Sequence, residues 1–421
     1  MAHLDHRGRP VIAITGLGVV SSLGRGKGEN WAKLTAGTSG IHAIDRFATD
    51  GLRTTIAGTV DFMGIEPMLA PELTYALAEA AAAEATEQAG IANGFPGPLF
   101  LAAPPVEMEW SQRYALDAKG GGEATYANLL AAVRAERQET MHRQTAFGGT
   151  ADRMQERFGT RGLPITLSTA CASGATAVQL GAEAIRRGET QAALCVGTDG
   201  SVTMEALIRF SLLSALSTQN DPPEQASKPF SKDRDGFVMA EGAGCLVLES
   251  LDHALERGAE VLAILRGCGE RADHFHRTRS SPDGSPVIAA VRAALDDAGL
   301  SSDDIGYINA HGTSTPENDR MEYNSLLSVF GERIHDVPIS SNKSMIGHTL
   351  TAAGAIEAVF SALTIREGVL PPTINHHTPD PDIRLDVVPN EAREATVDHV
   401  LSNSFGFGGQ NACLVLGRYS G

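Results

Sequence analysis

Residues 164–188 read PITLSTACASGATAVQLGAEAIRRG, and the pattern changes halfway along. Pro164–Thr169 reads as a strand. Small residues follow, and Cys171–Arg187 reads as a helix that stops at Gly188. A strand that bends through small residues into a helix is a building unit of α/β proteins. Outward from this unit the alternation continues. Pro10–Val20 (PVIAITGLGVV) reads as a buried strand running into a Gly turn, Pro71–Gly90 as an Ala-rich helix, and Pro98–Ala103 as a second strand. From Glu107 to Gly162 the chain is polar and less regular, with helical pieces and the flexible run Lys119–Gly122. Beyond the opening unit, Gln191–Thr198 is a strand. Gly242–Glu249 and Ala259–Gly267 read as a β pair joined by a short helix. The alternation then repeats: helix Pro286–Ala298, strand Ile305–Ala310, helix Asn318–Phe330, strand Val337–Ser341, helix Thr351–Arg366, and closing strands His399–Ser402 and Asn411–Leu416. This predicts an α/β architecture with mostly parallel sheets. In both halves a strand delivers a polar residue to a small-residue turn before a helix, a hint of duplication. No obvious disordered linker separates them, so one compact body is expected.

The 421 residues are 42% hydrophobic and 20% charged, enough for a large core and too apolar for wholesale disorder. A net charge of −17 argues against nucleic acid as a partner and against anionic membrane surfaces. Cys171, Cys195, Cys245, Cys268 and Cys413 are odd in number, widely spread and free of any C-x-x-C pair. That suits a reducing compartment rather than a disulfide framework or a zinc–thiolate site. The N-terminus MAHLDHRGRP has no apolar signal region, and no apolar run approaches a membrane span. A cytoplasmic chain without membrane insertion is expected.

The chemistry centres on Cys171, at the strand-to-helix elbow. Free N–H groups and the positive helix end there favour a thiolate and predict a lowered thiol pKa. A free Cys is more often a buried structural residue. That reading suits the other four cysteines, while the context of Cys171 leaves both readings open. Tyr307–Pro316 (YINAHGTSTP) puts His311 at a strand end, and Ser340–His348 (SSNKSMIGH) puts Lys343 and His348 in a loop entering a helix. Strand ends are where α/β proteins present catalytic groups. His274, His276, His376 and His377 lack such a context and read as structural. Asn403–Gly409 (NSFGFGG) is a Gly-rich loop between two strands. With no helix after it, it suits close approach to a ligand better than phosphate binding.

Together these blocks resemble the β-ketoacyl-acyl carrier protein synthases of the elongating class, which carry a Cys-His-His triad. The matching pieces are STACASG around Cys171, PFSKDRDGFVMAEGAG at Pro229–Gly244, NAHGTSTP at Asn309–Pro316, SNKSMIGH at Ser341–His348 and NSFGFGG at Asn403–Gly409. The resemblance implies a thiolase fold of duplicated half-domains in a five-layer α-β-α-β-α arrangement. Residues 1–255 would carry the nucleophile and residues 256–421 both histidines. It implies decarboxylative condensation with malonyl-acyl carrier protein, lengthening an acyl chain by two carbons. Cys171 would accept the acyl chain, and His311 and His348 would bind the malonyl thioester carbonyl. Lys343 would hold the His348 region in place and tune its charge. The N–H groups of Cys171 and Phe407 would form an oxyanion hole. Phe405, Phe407, Gly408, Thr313 and Thr315 would contact substrate, with Phe407 as the gate. It implies no organic cofactor, a monovalent cation (K⁺ or Na⁺) at Asn309, Glu357, Ser402 and Asn403, a homodimer, and a partner carrier protein with a phosphopantetheine arm.

The sequence departs from the family after Pro98–Ala103, where Ala102–Trp110 (AAPPVEMEW) lacks the usual glycines. That predicts an altered acyl pocket and raises the idea of a long-chain role. Because the expected carrier is acidic, a basic patch is predicted at the pocket mouth, from Arg134, Arg137, Arg143 and Arg209. Three rival readings remain: a secondary-metabolite ketosynthase, a ketosynthase-like chain-length subunit, and, more distantly, a cysteine hydrolase.

Overall fold

The computed structural model describes residues 2–66, 68–91, 94–105, 108–119, 125–135 and 139–421, without the side chains of 111 and 119. Ten principal strands run in chain order. They are β1 (Ile12–Ser21), β2 (Leu99–Ala102), β3 (Ile165–Leu167), β4 (Ala192–Asp199), β5 (Gly242–Ser250), β6 (Ala263–Ala272), β7 (Tyr307–Asn309), β8 (Ile339–Ser340), β9 (His399–Phe405) and β10 (Gln410–Gly417). In space the first five are ordered β1-β5-β4-β2-β3 and the second five β6-β10-β9-β7-β8. This is one wiring used twice. In each set the first, last and fourth strands are antiparallel neighbours, while the fourth, second and third are parallel. The sheets are therefore mixed rather than mostly parallel. Single-sequence patterning cannot see this, because a strand covered on both faces reads apolar in either orientation.

The sets meet where β1 pairs with β6 over 12–14 and 263–265. The expected pair of β5 with β6 does not form: β1 lies between them. Nor does β1 end in a Gly turn. It continues through Gly16 and Gly18 to Ser21, buried throughout. Those glycines are there for packing, since a Cβ on either would sit 2.1 or 1.9 Å from the carbonyl oxygen of Ala85 or Ala81 in the facing helix. That helix, α1 (Ala70–Gln88), covers the outer face of the first set. In the middle lie α2 (Ser173–Arg186) and, after α3 (Ser285–Ala298), α4 (Pro316–Phe330) and α5 (Lys343–Ile346), the helix α6 (Ala353–Glu367). Helices α2 and α6 pack on each other, and α3 covers β6 and β10 from outside with α4 beside it. The layers thus run α-β-α-β-α, as expected.

Helix α6 is buried from Ala353 to Ile365. Apolar or small all round, it belongs in a core rather than on a surface. Gly174 on α2 and Gly354 on α6 let the two helices touch at backbone distance: a Cβ on either would sit 2.4 or 2.6 Å from a backbone nitrogen of the other helix. The less regular stretch holds its expected helical pieces at Trp110–Lys119, Tyr126–Ala135, Glu139–Thr145 and Gly149–Phe158. Most of the Lys119–Gly122 run lies outside the described residues.

Candidate active site

Cys171 follows β3 and immediately precedes Ala172, the N-cap of α2. Its predecessor Ala170 has φ 50°, in the left-handed region that costs a non-glycine residue about 1–2 kcal/mol. Ser173 holds the bend from both sides. The Thr169 N–H donates to its Oγ at 2.7 Å, and its hydroxyl donates to the Ala170 carbonyl at 2.6 Å. Ser173 lies outside the predicted site residues, although a serine at the start of a helix is the signal for such a role.

The sulfur, both imidazoles and the lysine converge. Cys171, His311 and His348 line one cavity of about 650 Å³, together with Thr313, Thr315, Phe405, Phe407 and Gly408. The rings of His311 and His348 cross edge to face with centroids 5.4 Å apart, and Phe405 packs edge-on against His311 at 5.6 Å. Both histidines are buried. Lys343, also buried, donates from Nζ to the His311 carbonyl at 2.8 Å and to Glu357, and it lies 3.4 Å from His311 Nδ1. Lys343 therefore hydrogen bonds to His311 and acts on His348 through its charge, as expected of it.

This fixes the tautomers. An ammonium offers only protons, so His311 Nδ1 beside it is an acceptor and its proton sits on Nε2. The Leu350 N–H donates to His348 Nδ1 at 3.3 Å, which assigns the same tautomer there. Burial, the Lys343 charge and His348 hold His311 well below the usual imidazole range. Burial and Lys343 do the same for His348. The result is two neutral rings, each with an Nε2–H donor. Burial pushes Glu357 up to about 7, against the opposing pull of Lys343.

The expectation of a lowered Cys171 pKa is overturned. Burial pushes the thiol up to about 11, outweighing a backbone N–H donated by Phe407 and the Lys343 charge. The helix end is a local feature of the sequence, while the desolvation that outweighs it comes from the surrounding fold. Phe407 sits on the turn between β9 and β10, with Gly408 and Gly409 at φ 85° and 86°. That turn is pinned by Gly408 N–H to the Arg277 carbonyl and by Asp273 N–H to the Gly409 carbonyl, both 2.7 Å.

Behind Cys171 lies a second cavity of about 470 Å³. Cys171, Phe407, Phe210, Leu213 and Leu350 line both spaces. Pro104, Pro105, Met108 and Glu109, from the stretch that departs from the family, line the second. Glu322, not identified from sequence, is buried and accepts from the N–H of His311 at 2.9 Å, of Gly312 at 2.8 Å and from Asn403 Nδ2 at 3.1 Å. In sequence it is one acid among several on a polar helix, with nothing to mark its inward direction.

Asn309 and Ser402 are register partners on β7 and β9, with Asn403 next in line. Among the described residues, the buried Oδ1 atoms of Asn309 and Asn403 and Oε2 of Glu357 have no hydrogen-bond partner. Of the predicted basic patch, Arg134, Arg143 and Arg209 do not line the larger cavity. Arg143 lines a separate groove and pairs with Glu156, Arg134 is an exposed residue on the helix Tyr126–Ala135, and Arg137 lies outside the described residues. Arg209 lines the second cavity beside Glu205. Arg279 and Arg320 line the larger cavity instead. No helix among the described residues is long and apolar enough to cross a membrane.

Residues 9–254 match the family "Beta-ketoacyl synthase, N-terminal domain" and residues 262–377 match "Beta-ketoacyl synthase, C-terminal domain". The chain is 37% identical over 417 residues to 3-oxoacyl-[acyl-carrier-protein] synthase 2 of Coxiella burnetii, covering 97% of this chain and 98% of that protein. It is 38% identical over 418 residues to the tetracenomycin polyketide synthase ketoacyl synthase alpha subunit of Streptomyces glaucescens, covering 97% of each. Among solved structures, the complex AntDE:AntF superposes with a TM-score of 0.87 at 31% identity, over 98% of this chain and 100% of that one. It is a type II polyketide acyl-carrier protein with its ketosynthase bound to the hexaketide.

Proposed function

The chain belongs to the β-ketoacyl synthase family, and from that premise we propose that it condenses a Cys171-bound acyl chain with malonyl-acyl carrier protein. The reading rests on one observation: Cys171 and two imidazoles with free Nε2–H groups share a single cavity. In the first half-reaction the sulfur attacks the incoming acyl thioester. Its proton leaves on the departing carrier thiol, and the Phe407 N–H, already on the sulfur, is placed to receive charge on the carbonyl oxygen. In the second, the malonyl C–CO₂ bond breaks and its electron pair moves into an enolate. Two neutral N–H donors stabilise that oxygen without first giving up a proton. The carbanion then attacks the Cys171 thioester, the new C–C bond forms and the thiolate leaves. No external base is required, because CO₂ loss generates the nucleophile. The test is intact mass after incubation with acyl carriers, with Cys171→Ala as control, alongside malonyl-dependent CO₂ release. Acyl adducts without CO₂, or peptide hydrolysis, would refute it.

A polyketide chain rather than a plain fatty acyl chain is the second reading. Asp199, Ser201, Thr203, Glu109 and Glu205 line the cavity behind Cys171 beside Pro104, Met108 and Leu213. The lining that these residues share is mostly apolar, and the second reading is supported by the polyketide ketosynthases among the similar proteins. Competing saturated and 3-oxoacyl thioesters of rising length separate this from the long-chain role.

The partnerless oxygens of Asn309, Asn403 and Glu357 beside Ser402 suit a hard monovalent cation, K⁺ or Na⁺, which would neutralise this buried site. Replacing K⁺ with choline at constant ionic strength should lower the melting temperature if they hold one. A second copy of the chain is the proposed cover for exposed Trp110, Tyr114, Tyr126, Leu163 and Ile165, the last on edge strand β3. Sedimentation tests this.

A further inference from the structure

Asp199 ends β4 and lines the cavity behind Cys171, yet the proposed reaction gives it no task. It is 1% exposed, and among the described residues no Lys, Arg or His pairs with it. A buried acid without a counter-charge is costly unless its oxygens are hydrogen bonded. Oδ1 accepts from the Ser201 N–H at 3.1 Å and from its hydroxyl at 2.5 Å. Oδ2 accepts from the Thr351 N–H at 3.2 Å. The Thr351 hydroxyl bridges Oδ2, at 2.8 Å, and the Thr198 carbonyl, at 2.7 Å. The end of β4, in the first half, therefore grips the turn Leu350–Ala352 that follows His348 in the second.

That turn carries the one hydrogen bond on the His348 ring among the described residues, from the Leu350 N–H to Nδ1. The His348 backbone is fixed separately. Its N–H donates to the Val238 carbonyl at 2.7 Å, and its carbonyl accepts from the Ala240 N–H at 2.9 Å. Phe237 and His311 pack edge-on against the ring and set its plane without a hydrogen bond. Leu350 itself stands at φ 46°, a left-handed conformation that a leucine keeps only when its surroundings hold it there. Thr351, the next residue, is what Asp199 holds.

We propose that Asp199 and Thr351 are positioning residues for His348. Across the seam between the halves they hold the Leu350 N–H on Nδ1, and so keep the His348 proton on Nε2 for the malonyl carbonyl. The inference deepens the condensing reading and rests on it for the role of that proton. Without the hold the Leu350 turn relaxes, Nδ1 loses its donor, and the ring takes up the other tautomer as well. Nε2 then presents a lone pair to the developing enolate oxygen, which repels it.

Thr351→Val keeps the shape of the side chain and removes the bridging hydroxyl. It is expected to lower malonyl decarboxylation by about 10-fold or more, the scale of a small misplacement at a reacting centre. Acyl loading of Cys171, read by intact mass, should continue. Thr351→Ser restores the hydroxyl and should return decarboxylation to within about twofold of wild type. NMR of protein carrying isotope-labelled histidine reads the tautomer directly, with the His348 signals identified by their absence in His348→Ala. Wild type should show the proton on Nε2 alone, and Thr351→Val a mixture. Asp199→Asn has the same shape but turns one oxygen into a donor facing N–H groups. The same fall and the same mixture are expected of it, and it carries the comparison if Thr351→Val does not fold. A mixed tautomer already in wild type, wild-type decarboxylation in the variants, or a fall with the tautomer unchanged overturns the positioning role. Absence of condensation and decarboxylation in wild type removes the condensing reading, and the tautomer comparison still decides the hold on His348.

Discussion

The two halves share a strand order, yet they put opposite chemistry at corresponding places. In each, the third strand leads toward a central helix: β3 through Cys171 into α2, and β8 through Lys343 and His348 into α6. In each, the second strand ends at the same edge. There β7 delivers His311, while β2 runs through Ala103 into Pro104 and Pro105, which line the cavity behind the sulfur. One half holds a neutral nucleophile in a desolvated bend. The other holds two neutral donors, a buried ammonium and the one acid that accepts from it, Glu357. Duplication supplied the converging geometry, and divergence of a few side chains at strand ends supplied the chemistry. Because α2 and α6 touch through Gly174 and Gly354, the two sets of ends share one cavity.

Removing one half's contribution should leave the other's intact. Cys171→Ala is expected to bring condensation down to background while malonyl decarboxylation persists, since both Nε2–H donors remain; paired assays of CO₂ and product check this. Loss of both activities would break the division. Conversely, His311→Ala or His348→Ala should lower decarboxylation by about 10²–10³-fold. Acyl loading of Cys171, read by intact mass, should continue. Lys343→Met leaves Glu357 buried without its partner and should destabilise the fold by about 3–5 kcal/mol in urea melts. Adding Glu357→Gln should recover part of that loss.

The last prediction concerns the thiol itself. A raised pKa keeps the thiolate scarce at neutral pH and lets it grow with pH up to the folded value. Alkylation of Cys171 by iodoacetamide should therefore keep accelerating from about pH 7 to about pH 10. A plateau near the ordinary thiol value of about 8.5 would show that the Phe407 N–H and Lys343 outweigh burial.

Much of the site was legible along the chain because its residues sit on local signals. Cys171 lies at a change of period, His311 after an apolar run, and Lys343 and His348 ahead of a helix. Local order decides those placements, and the sequence by itself determined them, along with the alternation of elements and the family blocks. What it could not determine depends on partners far away in the chain. The antiparallel centre, the insertion of β1 between β5 and β6, the inward turn of Glu322, and the choice of His311 rather than His348 as the lysine's contact are all long-range outcomes. So is the sign of the Cys171 shift: a helix end is visible in sequence, but the depth of desolvation around it is set only when the two halves close.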